Sequence, residues 1–256
     1  MTTTSGSPAL GAKTLPHIDL EELIPLLNRK ALFRISWGAQ KAKGSKWEEI
    51  QRDFSRKLEE MLADLRTEQW INPKACYGHW MADSKGSSIR VHDPHQKGVI
   101  IAEFPLPRQT GDQGLCLADF LPPALNHEQA VLSFQIVPVG KHASEYIQAL
   151  FRDDNYVEGY FAHGLAVQFA ETTAEYIHTK IRNELGLAAN QGRRYSWGYE
   201  PIPDLSQHET LFELLSAREE LGMELTSAFQ LIPEQSTAAM VIHHPEARYF
   251  KLQDRR

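Results

Sequence analysis

The chain has 256 residues, 42% of them hydrophobic, enough to bury a substantial core as one large domain or two small ones. Charged residues make up 23% and the formal net charge is -6, with no basic stripe, which argues against nucleic acid as the main partner. Cys76 and Cys116 are the only cysteines, too few for a disulfide framework or a thiolate zinc cluster, and they read as two reduced, buried thiols.

Met1 to Lys13 is rich in Ser, Thr and Gly and has no apolar run, so residues 1–14 read as a flexible tail rather than a signal peptide or a membrane span. No other stretch is apolar enough to cross a bilayer, and the expectation is a soluble, cytoplasmic protein without a membrane partner. Leu15 to Phe33 is short and mixed in pattern, interrupted by Pro16 and Pro25. From Lys46 to Gln69, Trp47, Ile50, Phe54, Leu58, Met61, Leu62 and Leu65 recur at three- and four-residue steps, which predicts an amphipathic helix that Pro73 prevents from continuing.

The rhythm then changes to short segments rich in β-branched and aromatic residues, separated by Asp, Gly and Pro. Residues 75–81, 88–92 and 98–104 read as successive antiparallel strands. Residues 131–139 are apolar enough for a central strand, with Pro138 marking an edge or a bulge. A short helix over 144–151 precedes a long one over 155–185, with Gly186 as its C-cap. Residues 192–203 read as a loop, 209–220 as helix, and 239–242 and 249–252 as strands. With no internal repeat and no strand–helix alternation, the pattern predicts a single α+β domain over residues 15–256, an antiparallel sheet with long helices packed against it.

Common catalytic signatures are missing: there is no P-loop, no G-x-G-x-x-G, no G-x-S-x-G and no H-E-x-x-H. His243 and His244 are adjacent, so in a strand they point to opposite faces and do not share a metal; they read as surface or capping residues. Asp93 to Gly98 fits D-x-H-x-x-G, a pattern by which some corrinoid proteins offer a histidine to cobalt. Here it lies between two short strands and carries Pro94, which fits a polar hairpin turn instead.

The segment from Gly192 to Pro203 is the most informative one. It sets Arg193 and Arg194 beside Tyr195, Trp197 and Tyr199, a combination suited to clamping a carboxylate with a guanidinium fork and covering a cationic or planar group with rings.

Arg194-Tyr195-Ser196-Trp197-Gly198-Tyr199, running to Pro203, resembles the R-x-x-x-G-Y-P-A-C-P signature of the activation domain of cobalamin-dependent methionine synthase. The resemblance extends over nearly the whole chain beyond the tail. Asn72-Pro73, Tyr77-Gly78 and Ala82-Asp83-Ser84 are similar to one family stretch, and Arg108-Gln109 and Cys116-Leu117-Ala118-Asp119-Phe120 to two more. Glu171 with Ala174-Glu175-Tyr176 is similar to its A-E-x-x-A-E-Y helix. Gly222-Met223, Leu225-Thr226, Phe229, Pro233, His244-Pro245-Glu246-Ala247 and Tyr249-Phe250 complete the series.

What the resemblance implies is an S-adenosylmethionine-binding reactivation module with a curved antiparallel sheet, a methyltransferase component supporting reductive methylation of cob(II)alamin. It implies cobalamin carried by a partner, either a separate corrinoid protein on which the chain acts in trans or a methionine synthase core, and a flavodoxin-type electron donor. By position, Arg194 takes the methionyl carboxylate, Glu171 the ammonium, Ser196 the adenine through its backbone, and Tyr199 lies near the sulfonium as the catalytic position. Val241 and Ile242 stand where the family has a Tyr-Phe pair, so only backbone bonding to the ligand is implied there. Glu60, or Asp64 if the spacing shifts, is implied for the ribose hydroxyls; no metal site is implied. Glu200-Pro201-Ile202 departs from the family's P-A-C, which leaves a second possibility: a docking partner of a corrinoid protein whose S-adenosylmethionine site has degenerated.

Overall fold

Period-two alternation of large apolar residues builds one sheet whose two faces are both covered. The structure, a computed structural model, describes residues 8–110 and 114–250. In chain order it contains β1 (Gly11–Leu15), α1 (Leu20–Leu23), α2 (Arg29–Ala31), α3 (Gly44–Glu68), β2 (Ala75–Lys85), β3 (Ser88–His92), β4 (Ile100–Pro105) and β5 (Ala130–Pro138). It continues with α4 (Lys141–Arg152), α5 (Tyr156–Glu184), β6 (Arg193–Ser196), α6 (Gln207–Leu215), α7 (Ala217–Leu221), β7 (Glu224–Leu225), β8 (Leu231–Ile232) and β9 (Ser236–Ile242).

The main sheet runs β4-β3-β2-β5-β9-β6, and β1 adds to the first half of β2. Every one of these pairings is antiparallel. The expected α+β fold is therefore present, a single domain with an antiparallel sheet and long helices. Even-numbered residues Cys76, Trp80, Phe134 and Met240 pack on one face against Leu211, Phe212 and Leu215 of α6. Odd-numbered residues Ala75, Tyr77, Val137 and Val241 pack on the other, against Leu58, Leu62 and Leu65 of α3 and Leu165, Phe169 and Ile177 of α5. Each fully buried Val, Leu, Ile, Phe or Met among them contributes about 1.5–3 kcal/mol, so the two layers together fix the sheet.

Several boundaries differ from the sequence expectation. Gly11 to Leu15 is strand, not tail, because its backbone pairs with Ala75 to His79 and Lys13 reaches Glu184 of α5 at 2.6 Å. Gly78 permits that approach: a Cβ there would lie 2.3 Å from the Gly11 carbonyl oxygen. The remainder of the expected tail, residues 1–7, lies outside the described residues. The helix expected over 209–220 is broken at Ser216, which sits in the left-handed region at φ 51°. Tyr249 and Phe250 are not strand, and 251–252 lie outside the described residues. Pro138 is the last residue of a central strand, and its carbonyl accepts from the Lys74 N–H at 3.0 Å. Asp93 to Gly98 is a turn between β3 and β4, closed by the Asp93 carboxylate accepting from the His95 and Gln96 N–H groups. Among the described residues no helix is long and apolar enough to cross a membrane.

Candidate functional site

The sheet face that meets α5 is polar near one end. Its centre is a hydrogen-bonded run in which Ser133 Oγ lies 2.7 Å from both His79 Nδ1 and His243 Nε2. Glu184 joins it, accepting from Lys13 and Tyr77 and lying 3.2 Å from His79. Burial opposes ionisation of Glu184, but contacts with Lys13, Tyr77 and His79 outweigh it and bring its carboxyl down to about 2. His243 is thus a half-buried member of this run rather than a surface or capping residue; burial, then the neighbouring His79, His178 and Arg182, push it down to about 3.

Beside this run, α5 and β6 enclose a cleft of about 320 Å³ lined by Glu171, Arg194, Tyr195, Ser196, Tyr199, Glu200, Pro201, Tyr249 and Phe250. The segment expected as a loop begins as strand: Arg193 to Ser196 pairs with Ala239 to Ile242 of β9. Alternation in β6 then sorts its side chains. Tyr195 is buried in the α6 layer with its hydroxyl donating to the Arg248 carbonyl at 2.8 Å, and Trp197 is buried there with Nε1 donating to Gln207 at 3.1 Å. These two rings anchor the segment, so only Tyr199, which is 70% exposed, is free to cover a ligand. Arg193 bonds the Asn190 and Gly192 carbonyls.

Arg194 is the charged focus. Its side chain is 17% exposed, with Nη2 at 3.8 Å from Glu171 and 3.5 Å from Glu175. Glu171 and Glu175 are one turn apart on α5, the i,i+4 spacing that puts two side chains on one face. That spacing is the sequence signal for Glu175, which belongs to the Ala174-Glu175-Tyr176 motif but is assigned no role by the resemblance. After Ser196 the chain turns at Gly198, whose φ of +84° favours glycine, and closes through Gly198 N–H to Ile202 carbonyl at 2.8 Å. Ile202 is buried in the core, so the departure from the family's pattern at Glu200-Pro201-Ile202 is a packed turn that leaves Tyr199 projecting.

The remaining expected positions do not converge here. Glu60 and Asp64 are on the exposed side of α3 and neither lines the cleft. Val241 lies across the ladder from Arg194 and Ile242 across from Arg193, both with buried side chains. Because β9 is flanked by β5 and β6, the sheet takes up backbone bonding on both edges of this strand. Among the described residues no group of three or more His, Cys, Asp or Glu is placed to hold a metal ion.

Residues 19–255 match the family model described as vitamin B12 dependent methionine synthase, activation domain. The chain is 31% identical over 274 residues to methionine synthase of Mycobacterium tuberculosis and 30% identical to that of Mycobacterium leprae. Each alignment covers 96% of this chain but 23% of the relative, so the chain spans about a quarter of the length of these curated proteins. The fold is shared with a solved crystal structure of the MetH reactivation domain bound to AdoHcy, at a TM-score of 0.83 and 24% identity over 98% of this chain and 85% of that one. By the extent of these matches, the chain belongs to the family of vitamin B12-dependent methionine synthase activation domains.

Proposed function

We propose that the chain binds S-adenosylmethionine in the Arg194 cleft and supports reductive methylation of cob(II)alamin in methionine synthase, as a methyltransferase component in the cytoplasm. The observation that carries this reading is one half-buried guanidinium and one half-exposed carboxylate, Arg194 and Glu171, facing the same cleft. An α-amino acid presents a carboxylate and an ammonium side by side and requires that pair of opposite charges. The Arg194 guanidinium makes no hydrogen bond among the described residues, only the two long ion pairs, so its N–H fork keeps its capacity for a ligand carboxylate. The Ser196 segment borders the same cleft and suits a nucleoside edge, with Tyr199 over the sulfonium. The solved structure of similar fold holds AdoHcy, which differs from S-adenosylmethionine by the transferred methyl group.

In this reading the corrinoid is carried by another protein, on which the chain acts in trans, or by a methionine synthase core, and a flavodoxin-type donor supplies the electron. Cobalamin, when so bound, supplies the cobalt that accepts the methyl group. The chain's own residues bind and orient: Arg194 and Glu171 fix the amino-acid tail, and the exposed Tyr199 meets the incoming corrinoid face. Ribose recognition falls to Glu60 or Asp64 only if α3 and the cleft are brought closer in the complex, since neither lines it here.

The test mixes this protein with a cob(II)alamin-loaded corrinoid partner, a reductant and S-adenosylmethionine. The expected result is the absorption spectrum of a methylated corrinoid, which no component gives alone. Complex formation without methylation at any ligand concentration would establish instead a docking partner with a degenerate site.

A further inference from the structure

Arg194 reaches between two carboxylates that are held in different ways. Glu171 is half-exposed, and its only ion pair among the described residues is the loose one with Arg194 at 3.8 Å. Glu175 is anchored: its Oε1 accepts from Arg182 Nη1 at 3.0 Å. Arg182 is buried and fixed in turn, with Nε donating to the Gln191 carbonyl at 2.9 Å and Nη2 to His178 Nδ1 at 3.0 Å. His178, Arg182 and Arg194 together hold the Glu175 carboxyl down to about 2, so it is ionised at any working pH.

Both contacts to Arg194 are longer than a charge-assisted hydrogen bond, which closes to about 2.7–2.9 Å. Coulomb attraction falls only as 1/r, so both carboxylates still pull on the guanidinium at these distances, and the pull of Glu175 opposes that of Glu171. Without the Glu175 charge, one of the two pulls is gone. Arg194 then closes on Glu171, and the cation and anion that a zwitterionic tail requires are spent on each other.

We propose that Glu175 is a positioning residue that holds Arg194 off Glu171, and that it thereby sets the selectivity of the cleft for ligands with an α-amino-acid tail. The inference rests on the S-adenosylmethionine reading of the cleft. A purely structural ion pair between Glu175 and Arg182 predicts something different: altered stability, with every nucleoside ligand affected alike.

The experiment titrates the wild-type protein and Glu175→Gln with S-adenosylhomocysteine and with 5′-methylthioadenosine, which lacks the amino-acid tail. The expected result is a loss of at least about tenfold in S-adenosylhomocysteine affinity and a change of less than about twofold for 5′-methylthioadenosine. A crystal structure of the unliganded variant should show the Arg194–Glu171 contact closed to about 2.7–3.2 Å. If Glu175→Gln fails to fold, Glu175→Asp, which keeps the charge on a shorter side chain, should show a smaller loss of the same selectivity. An equal change for both ligands, or unchanged S-adenosylhomocysteine affinity with Arg194 still at its wild-type distance, would overturn the positioning role. A wild-type protein that binds neither ligand would overturn the cleft reading itself.

Discussion

Arg194 and Tyr195 are consecutive residues of β6 whose side chains lie on opposite faces of the sheet, the guanidinium in the α5 cleft and the phenol ring in the α6 layer. Binding and stability are thereby separated by a single step along the chain.

Arg194→Ala should leave the fold intact and weaken S-adenosylmethionine binding, because a ligand carboxylate loses its charge-assisted fork. The cost is about 2–4 kcal/mol, a fall in affinity of more than roughly thirtyfold. Tyr195→Ala removes a ring that is 2% exposed and should destabilise by about 3–4 kcal/mol. Calorimetry and thermal unfolding of the two variants check this; equal effects on both readouts would contradict it.

Tyr199→Phe should retain most ligand affinity, since the exposed ring remains and Tyr199 carries no core packing. Corrinoid methylation by the same variant should slow if the hydroxyl orders the groups around the reacting centre. Stopped-flow spectra at saturating S-adenosylmethionine separate the two; an unchanged methylation rate removes the hydroxyl from the account.

Acid should destabilise the protein through its buried histidines. His243 is pushed down to about 3 from 6.5, chiefly by burial, and His79 and His178 are lowered for the same first reason. Between these values the unfolded chain binds protons that the folded chain does not, so the contribution is full above about pH 6.5 and is lost as pH falls. His243 changes stability by up to about 1.4 kcal/mol per pH unit in that window, and His79 and His178 act in the same direction. The melting temperature should therefore fall from pH 7.5 to 5.5, and His243→Gln, which can keep a contact to Ser133, should flatten the slope. A slope unchanged in the variant would show that His243 is not among the groups responsible.

How much of this was legible in the sequence follows from which interactions were local. Helices α3 and α5 announce themselves by apolar spacing, and β2, β3, β4 and β5 by alternation between turn residues. The strand β1 does not, because Gly11 to Leu15 has no distinctive pattern and is fixed by Gly78 and by Lys13 meeting Glu184, 171 residues away. The break at Ser216 is equally silent, a tertiary override of helical periodicity. At the cleft, Arg194, Ser196, Glu171 and Tyr199 were named from one motif and one helix. Glu175 required knowing that Arg194 lands between two successive turns of α5. The loop reading of 192–203 missed that Tyr195 and Trp197 are core residues, since a strand hidden in a Gly- and Arg-rich segment has too few residues to show its alternation.

Whether this cleft holds S-adenosylmethionine through Arg194 is decided by a calorimetric titration of the metal-free protein with S-adenosylmethionine. The expected result is saturable one-site binding that needs no metal and that Arg194→Ala weakens by more than roughly thirtyfold. No heat and no thermal shift at millimolar ligand, or full affinity in Arg194→Ala, would contradict it.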